Sequence, residues 1–409
     1  MSSPYVFCNC KLVLPDHVVP GNVLVENGII KEVNEAESLA PPFPSEWNDY
    51  QPQIIDCDGQ YISPGFIDIH NHGRLGCDAM DGKVTSMETI AKCHAEHGVT
   101  GFLAGTSSIP WKKSLESIRF LADYYKEENK RLASAAIENN KAKGAHYLGI
   151  YSEGSFFSME KRGAHNPRYL KTELTGEDLN ALAEAAGEAL KVVALSPELP
   201  GAEEWIRFFS ARGIVVTAAH SNATYDETLA GIGHGITLAT HTFNGMRALS
   251  HQEPGILGAV LDDNRIYCEM IADGIHVAPV VLSLIYKLKG PDRIILISDS
   301  VIAGGLPDGR YEKGGDTVIV KDGVIRLEDG RLSGSSLSLD TAVRNMVKLA
   351  GASICHAVRA ASLNPARILG IDKRKGSIVP EKDADLVIFD DNIQIKKVFV
   401  SGQPFLPQK

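Results

Sequence analysis

The stretch Gly65-Phe66-Ile67-Asp68-Ile69-His70-Asn71-His72 decides the fold. A short apolar strand runs directly into two imidazoles separated by one residue. Residues i and i+2 of a strand point to the same face, so both imidazoles can aim at one point beyond the strand end. Seven further apolar runs follow: Thr100–Ala104, Tyr147–Tyr151, Val192–Leu195, Ile214–Ala219, Leu238–Thr240, Ile266–Met270 and Arg293–Ile297. Helical patterns lie between most of them, for example over Glu177–Lys191 and Glu203–Gly213. Strands alternating with crossover helices predict a parallel sheet, and eight strands over about 300 residues predict an α/β fold, a (β/α)8 TIM barrel. A doubly wound open sheet is the rival. No G-x-G-x-x-G follows the first strand to favour dinucleotide binding.

Outward from this middle, both chain ends read as β-structure. Val6–Leu14 and Asn22–Glu26 are rich in β-branched residues, and Asn27-Gly28 leads into Ile29–Val33 as a hairpin. Ala40–Pro52 reads as a surface loop, and Gln53–Asp58 as another strand. Ala384–Asp390 and Ile393–Val400 repeat the pattern at the far end, with Ser401-Gly402 as a turn. The expected organisation is a composite β-sandwich from residues 1–62 and 376–409 beside a barrel spanning 63–375. Lys373-Arg374-Lys375 between them reads as a solvated linker.

The 409 residues are 44% apolar, enough for a sizeable core without disulfides. Forty-one Lys and Arg against 51 Asp and Glu give a net charge of −10, which argues against nucleic acid and anionic membranes as partners. No apolar run approaches a membrane span, and the start lacks a basic region followed by an apolar one. The seven cysteines form no Cys-x-x-Cys pair. A cytoplasmic protein with reduced thiols is the expectation.

The chemistry sits at the strand ends. After His70 and His72 come Glu153 on strand three, His220 on strand five, His241 on strand six, Asp273 and His276 after strand seven, and Asp299 on strand eight. In a (β/α)8 barrel these ends form the catalytic face. A lone histidine after a strand is more often a hydrogen-bonded surface residue, and a lone Asp more often a helix cap. Six of the residues just named, His70, His72, Glu153, His220, His241 and Asp299, at five matching strand ends instead point to a divalent-metal site. Imidazole and carboxylate suit Zn²⁺ and Fe²⁺ alike. Such an ion supports hydrolysis of an amide or a related bond, with Asp299 moving the proton. His165 is a candidate for polarising the carbonyl. His94, His97, His146, His234 and His356 fall in predicted helices or loops and read as structural.

This pattern resembles the amidohydrolase superfamily: His-x-His after strand one, histidines after strands five and six, Asp after strand eight, and a small β-domain from both ends. Strand four ends Leu195-Ser196-Pro197-Glu198, without the lysine many relatives carry there. With Glu153 on strand three, the chain resembles the N-acetylglucosamine-6-phosphate deacetylase family in particular. Ser63–Asp68, Lys161–Pro167, Thr240–Met246, Ile271–His276 and Leu332–Ser335 extend the likeness over nearly the whole chain. The resemblance implies Glu153, His220 and His241 as ligands of the main ion. Asp299 would be proton donor and acceptor, and His165 would polarise the acetyl carbonyl. Ala164, Asn244, Gly245, His276 and Leu332-Ser333-Gly334 would contact the sugar phosphate. Members lacking the strand-one histidine pair hold one ion, and others can hold two. With His70 and His72 present, a second position shared through Glu153 and Asp299 is expected, Zn²⁺ being the expected ion. A homodimer is also implied.

Three departures stand out. Strand three reads Tyr151-Ser152-Glu153-Gly154-Ser155, without the family's proline. Gln252 replaces an Arg that in relatives reaches the phosphate across a dimer interface, and Gln offers no charged bidentate pair. Third, Met246 is followed by Arg247, with His251 close by, and either is a candidate to supply the missing charge. The expected substrate is a 6-phosphate amino sugar, N-acetylglucosamine-6-phosphate first. Alternatives are the galactosamine epimer and an unphosphorylated N-acyl compound. A non-catalytic scaffold would not keep the full ligand set, and a sugar-phosphate binding protein would not need His70, His72 and Asp299 together.

Overall fold

The structure, a computed structural model, describes residues 4–37, 43–134 and 141–406. Eight parallel strands form one sheet in sequential order: Phe66–Asn71, Val99–Gly105, His146–Ser152, Leu190–Leu195, Val215–Ala218, Ile236–Ala239, Tyr267–Met270 and Ile294–Leu296. Each matches a run read from the sequence, because strands buried on both faces are written as nearly unbroken apolar residues. Main-chain bonds bring strand eight back to strand one: Asp299 N–H donates to His70 O (2.9 Å) and His72 N–H to Ser300 O (2.7 Å). Asp68, buried on strand one, accepts from the Ser298 N–H (3.3 Å) at the same seam. The (β/α)8 expectation holds, and the open-sheet rival does not.

The end strands share one further sheet. Leu386–Phe389 pairs antiparallel with Tyr61–Pro64, which lies beside Tyr5–Val13, and the Val18–Glu26 and Ile29–Glu35 strands continue that side. Its inner face carries Phe7, Val23, Ile62, Leu386 and Phe399, all buried, with Phe7 and Phe399 edge to face at 4.8 Å.

Four sequence readings need correction. Within the Ala40–Pro52 loop, residues 40–42 lie outside the described set, but Ser45–Tyr50 forms a 3-10 helix. It buries Trp47, whose Nε1–H donates to Glu32 (2.6 Å). The helix read over Glu177–Lys191 stops at Ala186, where Gly187 at φ 50° turns the chain toward the strand that starts at Leu190. His146 opens a barrel strand. Lys375 is no solvated linker residue: it is buried and pairs with Asp385 (2.5 Å) and Asp383 (3.0 Å).

One unit escaped the sequence reading. After strand eight, Gly309–Lys313, Asp316–Lys321 and Val324–Leu327 form a three-stranded antiparallel sheet. Val318, Val320 and Ile325 pack onto Val301 and Ala303 in a small core of their own. This places the sheet over the mouth of the barrel.

Candidate metal centre and active site

Glu153 stands at the centre of the mouth. Its Oε1 lies 3.3 Å from both His220 Nε2 and His241 Nε2. Its Oε2 lies 3.2 Å from His72 Nε2 and 3.7 Å from His70 Nε2. Asp299 Oδ1 closes the second group, 3.4 Å from His72 Nε2 and 3.9 Å from His70 Nε2. All six residues are buried. His220, His241 and Asp299 have φ of 45°, 27° and 47°, a left-handed backbone that non-glycine residues adopt at a cost and that clusters at functional sites.

The far nitrogens of the imidazoles are already committed. His220 Nδ1 lies 2.9 Å from the Lys161 carbonyl and His241 Nδ1 3.1 Å from the Asn244 carbonyl. A carbonyl only accepts, so both Nδ1 atoms carry the proton and both Nε2 atoms present lone pairs. Those lone pairs face each other at 3.1 Å, beside the Glu153 oxygen. Three such acceptors converging in a buried place call for a cation. His70 repeats the arrangement: its Nδ1 bonds Glu269 Oε2 (2.9 Å), while its buried Nε2 has no hydrogen-bond partner among the described residues. A carboxylate behind a ligating imidazole fixes its tautomer and raises its basicity. The donor set therefore fits a divalent metal. His70, His72 and Glu153 offer ligand atoms within 4.8 Å of one another, and so do Glu153, His165 and His220.

Glu153 and Asp299 draw positive charge to the site. Burial pulls His72 down, but hydrogen bonds with Asp299 and Glu153 outweigh it and carry the imidazole up to about 9. Burial, then the neighbouring His165, hold His220 down to about 4, so it is a neutral donor. Burial opposes ionisation of Glu153 and Asp299. The surrounding histidines overcome it, led by His70 for Glu153 and by His72 for Asp299, and hold both below the usual carboxylate range.

A cavity of about 610 Å³ opens over this cluster. Its lining includes Ala164, His165, Asn244, Gly245, His276 and Leu332-Ser333-Gly334, each singled out in the sequence. His165 Nε2 lies 3.1 Å from His220 Nε2 and 3.7 Å from Glu153 Oε2. His276 is held by Asp273, whose Oδ2 is 2.6 Å from Nδ1. Gly245 is required where it stands: at φ 62°, a Cβ would sit 2.5 Å from His220 Nδ1. Arg247 and His251 are not in the lining. Arg247 reaches Asn222 Oδ1 (3.3 Å), and His251 is exposed.

Sequence reading missed Glu269, a buried carboxylate that also accepts from the His241 N–H (3.1 Å). It missed Ser107, 3.3 Å from His72 Nδ1, and the cations Lys313, Arg326 and Arg331 in the lining.

Residues 61–405 match the amidohydrolase family. The chain belongs to the amidohydrolase family. The family is metal-dependent, in keeping with the donor set described above. Among similar amidohydrolases is an N-acetylgalactosamine-6-phosphate deacetylase of Escherichia coli O157:H7, 38% identical over 350 residues, 86% of this chain and 89% of that protein. An N-acetylglucosamine-6-phosphate deacetylase of Bacillus subtilis (strain 168) is 32% identical over 382 residues, 92% of each. The crystal structure of N-acetylglucosamine-6-phosphate deacetylase from Thermotoga maritima superposes with a TM-score of 0.85 at 31% identity, covering 98% of this chain and 100% of that one.

Proposed function

We propose that this amidohydrolase hydrolyses the acetamide of an N-acetylated amino-sugar phosphate, N-acetylglucosamine-6-phosphate first among them, giving glucosamine-6-phosphate and acetate. The observation that carries the reading is the convergence of the His220 and His241 Nε2 lone pairs on Glu153, beside the ionised Asp299. The relatives named above support the substrate class.

In this reading Glu153, His220 and His241 hold the main ion, and His70, His72 and Asp299 border a second position. Zn²⁺ is the expected ion, Fe²⁺ an alternative, with one or two per subunit. A bound divalent ion lowers the pKa of water and polarises a carbonyl oxygen. Asp299, ionised, accepts the proton of the attacking water and delivers it to the departing amine. His165 bonds the acetyl oxygen. Ala164, Asn244, Gly245, His276 and Leu332-Ser333-Gly334 orient the sugar phosphate, and Arg247 and His251 would serve only from a second subunit. We also propose a cytoplasmic homodimer, divided into a β-sandwich (1–62 and 376–409) and a barrel (63–375). Among the described residues no helix is long and apolar enough to cross a membrane.

The 38% identity to an N-acetylgalactosamine-6-phosphate deacetylase favours the galactosamine epimer as a second reading. Free-amine release from both phosphorylated sugars and from unphosphorylated N-acetylglucosamine, with added Zn²⁺ or Fe²⁺, tests both. Preference for a phosphorylated sugar is expected, and the better epimer selects between the readings. Metal-loaded protein inactive on all three would overturn them.

A further inference from the structure

The lining of the active-site cavity holds three fixed cations, Lys313, Arg326 and Arg331, and all three come from the three-stranded sheet after strand eight or the turn that leaves it. They are not equivalent. Arg331 is engaged by Asp329 (2.6 Å) and by the Gly163 carbonyl. Arg326 is exposed and donates to the Gly330 carbonyl (2.8 Å). Lys313 is half-buried, and among the described residues its ammonium makes no ion pair. Its partner is the hydroxyl of Ser333 (3.3 Å), in the segment that also lines the cavity.

Asp316, the cross-strand neighbour of Lys313, and Asp78 line the same cavity but make no ion pair with it among the described residues, so the ammonium retains its capacity for a ligand anion. Its position is fixed from two sides. The sheet is anchored through Val318, Val320 and Ile325 on Val301 and Ala303, and Arg331 ties its exit to the loop carrying Ala164 and His165. The segment around Gln252 offers this cavity no cation from its own subunit.

We propose that Lys313 is a specificity-determining residue that binds the substrate's phosphate from within the same subunit, in place of the charge that Gln252 cannot supply. This rests on the sugar-phosphate deacetylase reading, and the test separates the two. Lys313→Gln and Lys313→Arg are compared with the unaltered protein, metal-loaded, on N-acetylglucosamine-6-phosphate and on N-acetylglucosamine. Binding of inorganic phosphate is measured by calorimetry.

The Gln variant should raise KM for the phosphorylated sugar by about 10- to 100-fold, with kcat within about two-fold. It should leave kcat/KM for the unphosphorylated sugar unchanged and weaken phosphate binding in parallel, and the Arg variant should restore most of both. Equal effects on the two sugars, or none on phosphate binding, would overturn the proposal. So would a phosphate-specific loss in Arg247→Gln or His251→Gln with none in Lys313→Gln. If the unaltered protein ignores the phosphorylated sugar, the deacetylase reading fails, and the calorimetric arm alone decides whether Lys313 binds phosphate.

Discussion

Asp299 is buried, ionised and held at a left-handed backbone angle next to His72. Replacing it by Asn keeps its size and removes its capacity to take a proton. Asp299→Asn should lower kcat by about 10²- to 10⁴-fold with little change in KM, as steady-state amine release would read. A loss under ten-fold would assign the base elsewhere. Glu269 acts one step further out, through His70. Glu269→Gln should raise the metal dissociation constant about 10- to 100-fold in a competitive chelator titration, while the fold survives. Glu269 also shows what limited the reading of the site. Residues at strand ends announced themselves because each interrupts an apolar run at its exit. Glu269 lies inside the run Tyr267–Met270, and a carboxylate at a fully buried strand position is itself a signal, since such a charge needs a partner. Nothing in the sequence said that the partner was His70, 199 positions away.

The elements were legible to the extent that burial wrote them. The eight barrel strands are covered on both faces over most of their length and appear as nearly unbroken apolar runs, interrupted by single polar residues such as Asp68 and Glu269. The three-stranded sheet over the mouth is covered on one side, so Gly309-Arg310-Tyr311-Glu312-Lys313 alternates exposed and half-buried positions and passes for a loop. The 3-10 helix Ser45–Tyr50 is too short to show a period, and it is held by Trp47, with Tyr50 and Phe43 packed beside it. At this scale, the helix Val84–Glu96 makes a prediction about pH. His94 is packed against Phe102, ring centroids 4.9 Å apart, and burial holds its imidazole down to about 3. The unfolded chain binds a proton there near pH 6.5 and the folded chain does not, so this group's contribution to stability falls as pH drops from about 6.5 toward 3. His94→Gln removes that dependence. Between pH 7 and 5 it should lose about 2 kcal/mol less than the unaltered protein in denaturant unfolding. Parallel losses in the two proteins would mean His94 takes up its proton while folded.

For the whole molecule, the helix Pro279–Lys289 turns Val280, Leu284 and Leu288 outward at 66, 50 and 58% exposure, one stripe at spacing i, i+4, i+8. Ile275 and Leu249 are exposed too. A contiguous exposed apolar stripe is a common mark of an interaction surface. If the proposed homodimer uses this stripe as its contact, Leu284→Glu should shift the protein from dimer to monomer in sedimentation velocity with its secondary structure intact. A dimer that persists would place the interface on another face.

The sheet that joins the two chain ends also sets a timetable for biosynthesis. Tyr61–Pro64 pairs with Leu386–Phe389, and Ala384 and Gly28 share a main-chain bond (2.8 Å). About 320 residues separate the paired strands. At ribosomal rates of about 5–20 residues per second, the first strands wait about 15–65 s for their last partner. Throughout that interval the nascent chain carries an open sheet edge, ready to pair with a neighbour on the same polysome. Chaperone cover during translation should therefore matter more to the yield of this protein than refolding of the finished chain would suggest.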